Sequence, residues 1–157
     1  MPSRRQSIAL SPDEIRAYLD SQKTLIVVSN GRDGFPHPMP MWFWVDDSRN
    51  VYCTTFRKSQ KVLNLQRDPK ASLLVESGLE YAELKGVVIY ADTEIIDEVG
   101  AVTDVLVAIN TRGRDIDDAA KQALTQTVRR TAEKRVALKF RPRDYVSWDH
   151  SRLGGRY

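Results

Sequence analysis

The sequence predicts a mainly β, α+β domain whose antiparallel strands close fully or partly into a barrel. Three observations lead there. Short β-branched and aromatic runs succeed one another with turn residues between them, the pattern of sequential antiparallel strands. The segment from Phe35 to Val45 (FPHPMPMWFWV) must be extended, because Pro36, Pro38 and Pro40 exclude a helix. Helical periodicity is confined to a short opening segment, a second short one inside the strand region, and a block from Glu98 to Lys134. A chain of 157 residues is one domain's worth, able to close a single core without staples.

The elements follow in order. Residues 1–10 are expected to form a flexible arm. Ser11-Pro12-Asp13-Glu14 then combines a capping serine, a proline at the first helical position and a glutamate able to complete a capping box. Ile15, Tyr18 and Leu19 share one face of that helix. Thr24 to Ser29 reads as a strand, and Asn30-Gly31-Arg32-Asp33-Gly34 as the turn after it. The three alternating prolines lack amide donors on one pleat direction, so the next strand belongs at an edge or enters the sheet irregularly. Val51 to Thr55 is a strand, and Ser59 to Arg67 a short helix with Ser59 as candidate cap, stopped at Asp68-Pro69. Ala71 to Glu76 and Tyr81 to Ala91 are strands, the second interrupted at Gly86 by an expected bulge or bend, with Thr93 to Ile96 continuing it. The block 98–134 is expected to be a helical insertion, two segments separated around Gly113. Arg135 to Phe140 closes the sheet, and Arg141-Pro142-Arg143-Asp144 reads as a turn into Tyr145 to Trp148. Residues 149–157 form a tail.

Composition narrows the function classes. With 24 basic and 21 acidic residues the net charge is +3, too balanced to argue for nucleic acid. No apolar run approaches the roughly 20 residues of a membrane span, and the opening residues lack the apolar stretch of a secretory signal. The single cysteine, Cys53, permits no intrachain disulfide, which suits a reducing cytoplasm. His37 and His150 are the only histidines, and neither stands at metal-ligand spacing from Cys53.

Two segments can carry chemistry. In Tyr52 to Asp68 a strand ends at Thr54-Thr55, a loop brings Arg57, Lys58 and Ser59, and Lys61 falls in the first turn of a helix. Free amides at a helix start, a hydroxyl and nearby cations make a phosphate site; a capped surface helix with solvated basic residues reads equally well from these residues. In Pro38 to Val45, alternation sends Met39, Met41 and Phe43 to one side and Trp42 and Trp44 to the other. Such a strand can wall a planar heterocycle, or pack in a core or an interface. No nucleophile constellation is present: there is no Gly-x-Ser-x-Gly elbow, and Cys53 lies inside a predicted strand. Redox chemistry remains open, because a cofactor performs hydride transfer while the protein supplies position and electrostatics.

Taken together, Asp33-Gly34-Phe35-Pro36-His37 with Pro40-Met41-Trp42-Phe43, Lys58-Ser59-Gln60-Lys61, Asn64-Leu65, Arg67-Asp68-Pro69, Ser72 to Glu76, Tyr81-x-Glu83-Leu84-x-Gly86 and the tail from Ser147-Trp148-Asp149-His150 through Leu153-Gly154-Gly155 resemble the pyridoxamine 5′-phosphate oxidase-like superfamily. The similarity covers nearly the whole chain and is stronger to the flavin- and deazaflavin-dependent oxidoreductases than to the vitamin enzyme. The resemblance implies an FMN-binding type of split barrel, homodimeric, with cofactor sites at the subunit interface and a tail reaching the partner's site. It implies that Lys61 binds the cofactor phosphate with Lys58, Ser59 and Gln60 beside it, and that Thr54 and Thr55 flank the ribityl chain. Pro40, Met41 and Trp42 would line the ring with their backbone, and Lys85 and Trp148 would come from the second subunit. The implied activity is hydride transfer between coenzyme F420, or FMN, and a small organic acceptor. The alternative is a split barrel that holds a cofactor or a tetrapyrrole without turnover. Two departures stand out. Arg152-Leu153 is followed by Gly154-Gly155 rather than the vitamin enzyme's substrate signature, and the Met39 strand is apolar where that enzyme carries a phosphate-binding arginine.

Overall fold

A computed structural model describes residues 3–154. Residues 1–2 and 155–157, including Gly155 of the tail and the first residues of the expected arm, lie outside the described residues. Five helices are described: α1 (Arg4–Ser7), α2 (Pro12–Ser21), α3 (Gln60–Arg67), α4 (Val99–Thr111) and α5 (Asp118–Ala132). Seven strands, β1 (Thr24–Asn30), β2 (Pro36–Trp42), β3 (Trp44–Val45), β4 (Val51–Phe56), β5 (Lys70–Ser77), β6 (Lys85–Ile96) and β7 (Arg135–Asp149), form one sheet in the order β2-β1-β5-β6-β7-β4-β3. Every recorded pairing is antiparallel. The sheet curls until β2, at one end, approaches β4 near the other. This is the split barrel with helical additions that the sequence analysis expected.

Alternation decides which side of the curl each residue serves. Leu25 and Val27 face inward, and register places Leu73, Val75, Val87 and Ile89 beside them, then Leu138 and Phe140 against Cys53 and Val51. This core is sealed at one end by Ile15, Tyr18 and Leu19 of α2 and at the other by Val62 and Leu65 of α3. Ser11 and Glu14 make the expected capping box at the start of α2. A second cluster lies on the outer face, where Val102, Val105, Leu106 and Ile109 of α4 and Ala132 of α5 cover Ala137, Trp44 and Tyr52.

The proline strand is at the edge, as its missing donors require. Pro36, Pro38 and Pro40 pair with Asn30, Val28 and Ile26, with no strand on their other side. Phe43 interrupts the strand and turns into the core.

Three details differ from the expectations. Tyr81–Glu83 is a 3₁₀ turn, and β6 starts only at Lys85. Gly86 makes no bulge; it pairs with Trp148, and a Cβ there would come within 2.2 Å of the Trp148 ring. The irregularity sits instead between Tyr90 and Ala91. They face Asp144 and Pro142, so Arg143 is the extra residue on β7. The bulge accommodates Pro142, and 141–144 is therefore not a turn: β7 runs unbroken over 15 residues.

The described part of the N-terminal arm carries a helical turn and ends docked on β7. Asp149 donates its amide to the Ile8 carbonyl at 2.8 Å, and the Leu10 amide donates to Ser147 Oγ at 2.9 Å. Among the described residues no helix is long and apolar enough to cross a membrane.

Candidate cofactor site

Thr54 and Thr55 precede Phe56, the last paired residue of β4, and the chain turns through Arg57 and Lys58 into α3. Helix α3 is fixed on the barrel by Asn64, which is fully buried and donates to Ser29 Oγ at 3.1 Å. Gln60 Nε2 donates to Asn64 Oδ1 at 2.9 Å, and Arg67 reaches the Asn30 carbonyl. These bonds set the direction in which the first turn of α3 presents its side chains.

Lys61 is the residue this arrangement isolates. It is only 7% exposed, an uncommon state for a lysine without a carboxylate partner. Its Nζ donates to Thr55 Oγ1 at 3.0 Å, and Thr55 Oγ1 in turn donates to Ser59 Oγ at 3.3 Å. The bonds run one way, from ammonium to threonine to serine, which leaves the Ser59 hydroxyl hydrogen to donate outward. In the first turn of α3 the Val62 and Leu63 amides donate to the Ser59 carbonyl, and those of Gln60 and Lys61 have no intrahelical acceptor. Ser59 occupies the cap position but makes no side-chain cap bond, so the expected cap is positional only. Burial pushes the Lys61 ammonium below the usual lysine range. The neighbouring Arg135 charge adds to that, whereas Cys53 opposes it. Among the described residues no acidic side chain forms an ion pair with Lys61 or Arg135. Donors and cations thus converge where no anion of the chain answers them, which fits a phosphate group.

The other site residues fall into three groups. Lys58 and Gln60 are exposed at the rim, while Arg57 is engaged by Asp97 and by the Glu133 carbonyl. Pro40 and Met41 lie on β2, with Met41 against the core; Trp42 is 54% exposed under Lys23, whose Nζ stands 4.9 Å from the ring centre. Lys85 and Trp148 are elsewhere. Lys85 Nζ pairs with Asp149 at 3.3 Å, and the Trp148 ring lies over Gly86. Trp148 and Arg135 sit near opposite ends of β7, roughly 40 Å apart along the strand at ~3.3 Å per residue.

Sequence reasoning missed Arg135, which it read only as the first residue of a strand; the cross-strand partner that places it beside β4 is not a local signal. Cys53 is fully buried, and burial pushes its thiol well above the usual range, so it is no nucleophile. His150 Nδ1 lies 2.9 Å from the Tyr81 carbonyl. His37 faces a cleft of about 910 Å³ beside α3, lined also by Arg32, Gln60, Leu63 and Arg67.

No curated protein matches the sequence. Among solved structures, the conserved hypothetical protein Rv2991 from Mycobacterium tuberculosis is similar over 99% of this chain and 95% of its own, with 34% identity and a TM-score of 0.85. An F420 reductase is similar over 92% of this chain and 98% of its own, at 18% identity and a TM-score of 0.57. The heme storage protein HutZ from Vibrio cholerae covers 87% and 94%, at 14% identity and 0.63. The last two likenesses are of fold. The family model described as pyridoxamine 5′-phosphate oxidase matches residues 11–149, and that family binds flavins and includes oxidoreductases. The chain belongs to the pyridoxamine 5′-phosphate oxidase family.

Proposed function

We propose that this protein is a homodimeric oxidoreductase that binds coenzyme F420, or alternatively FMN, and passes a hydride between it and a small organic acceptor. The observation that carries this reading is Lys61: a buried ammonium hydrogen-bonded to a hydroxyl, with no acidic partner among the described residues, at the start of a helix. Lys61, Thr55, Ser59 and the first amides of α3 would hold the phosphate, with Lys58 and Gln60 at its rim. Thr54 would flank the chain that leads to the ring, and the backbone of Pro40, Met41 and Trp42 would line the ring. When bound, F420 or FMN supplies the hydride chemistry; these residues position it and keep its charged end anchored.

The second subunit enters through the outer face of the sheet. Ile26, Val28, Leu74, Val88 and Val146 are half-buried there, with Tyr90 exposed among them. The larger helices pack elsewhere, α4 on β3, β4 and β7 and α5 on β7. A copy seated on that face would bring Trp148, which shares it, toward the site of its partner, with Lys85 at the adjoining strand end.

The test is fluorescence titration of the protein with F420 and with FMN, alongside sedimentation. Tight binding of one cofactor by a dimer supports the reading and fixes the cofactor. Binding of neither removes the oxidoreductase claim, and binding of heme alone would move the protein to the storage class.

A further inference from the structure

Phe43 stands alone between β2 and β3, the two margins of the sheet, so the chain crosses the open seam of the barrel at that residue. Its ring is 1% exposed, and the guanidinium carbon of Arg112 lies 4.3 Å from the ring centre. Arg112 follows the last residue of α4 and is half-buried. Its Nη1 donates to the Phe43 carbonyl at 2.7 Å, and its Nη2 donates to the Leu19 carbonyl in the last turn of α2. Among the described residues Arg112 makes no ion pair, so the two carbonyls and the ring fix its fork.

Those carbonyls bracket one rung of the sheet. Leu19 precedes β1, which opens at Thr24, and Phe43 follows Trp42, the end of β2. Thr24 and Trp42 are cross-strand partners at the end of the β1–β2 ladder, with Leu25 and Met41 as the next pair. Because β2 has a ladder on one side only, a tie at its end decides where its last residues stand. We propose that Arg112 is a positioning residue for the cofactor ring: by joining the Leu19 and Phe43 carbonyls it sets the course of the Pro40–Trp42 backbone that would line that ring. This rests on the cofactor reading above and adds to it a route by which the helical block of α4 and α5 acts on the site. A lysine could reach one of the carbonyls but could not span both with a planar fork.

Arg16 supplies the control. It also ties carbonyls, Nη1 to Asp46 at 2.7 Å and Nη2 to Val45 at 3.5 Å, but on the side of β3 away from β2. The intact protein, Arg112→Gln, Arg112→Lys and Arg16→Gln are each titrated with FMN, riboflavin, F420 and the phosphate-free deazaflavin core of F420. Ligand fluorescence gives the affinity, the visible absorption band of the bound ligand reports its surroundings, and circular dichroism melts grade the stability of each variant. Arg112→Gln is expected to weaken each phosphate-bearing ligand and its phosphate-free counterpart alike, by about fivefold or more, and to displace the bound absorption band. Arg112→Lys is expected to fall between, and it carries the test if Arg112→Gln does not fold. Arg16→Gln is expected to lose stability while holding affinities within about twofold and the band in place. If the Arg112 variants melt lower but keep affinity and band, or if Arg16→Gln alters both as much, Arg112 is a structural tie and the proposal is overturned. If the unaltered protein binds none of the four ligands, the cofactor reading fails and this assignment falls with it.

Discussion

Gly86→Ala is expected to damage the protein through a single contact. A Cβ at residue 86 would stand 2.2 Å from Cζ2 of Trp148 and 2.8 Å from two further ring atoms. Carbon atoms pack at about 3.5–4.0 Å, so the ring must retreat by roughly 1.3 Å or more, or tilt off Gly86 altogether. Overpacking of this kind costs about 1–3 kcal/mol. For a chain of this length that lowers Tm by on the order of 2–4 °C per kcal/mol, a fall centred near 6 °C. The assay is a double-mutant cycle read by thermal unfolding. In a Trp148→Ala background the same glycine change has open space above it and should cost less than about 0.5 kcal/mol, giving a coupling energy of roughly 1–2 kcal/mol. The Trp148 fluorescence of the single variant should also shift as the ring moves. If Gly86→Ala costs the same with and without the indole, the ring does not rest on residue 86 and the reasoning is wrong.

Lys61→Met should weaken FMN or F420 by about 10- to 150-fold, the worth of a charge-assisted contact at roughly 1.5–3 kcal/mol, in a fluorescence titration. The same variant should be more stable than the parent without cofactor at neutral pH. The folded-state lysine is depressed by burial, so its charge costs stability below that depressed value, and the cost vanishes as pH rises to the free-lysine range; melts from pH 7 to 10.5 test the convergence. Asp149 is shifted the other way. Burial opposes its ionisation, but the Ser151 hydroxyl and Lys85 outweigh that and hold it below the usual range. Asp149→Asn should therefore be less stable than the parent at neutral pH, with the gap closing as pH falls through and below the usual carboxylate range, measured by chemical denaturation. Val88→Glu puts a charge in the middle of the uncovered sheet face and should weaken self-association at least tenfold in sedimentation; an unaffected dimer would mean that the copies meet elsewhere.

Much of the fold was legible because local chemistry and tertiary role coincide. Ser11-Pro12-Asp13-Glu14 caps α2 whatever it packs against, and Pro36, Pro38 and Pro40 suit a strand with a ladder on one side only. Two of the misreadings are places where a partner strand decides. Arg141-Pro142-Arg143-Asp144 has the composition of a turn, yet the bulge opposite Tyr90 and Ala91 absorbs the proline and the strand continues. Gly86 looked like a break in a strand, whereas its missing side chain makes room for an indole 62 residues later. In the site, Ser59 and Lys61 stood out because they open a helix, but that Lys61 is buried against Thr55, and that Arg135 stands opposite Phe56, follows from tertiary packing that no spacing encodes.

The two margins of the sheet bear on how this protein can meet its own kind. One is the proline strand, which offers few donors to an incoming chain, and the other is β3, two residues long and cut off from β2 by Phe43. Neither gives a template for adding a strand, so polymerisation through the sheet is closed at both rims. Exposed apolar residues such as Tyr90 can then meet another copy only face to face, and an isologous contact of that kind would close at two copies.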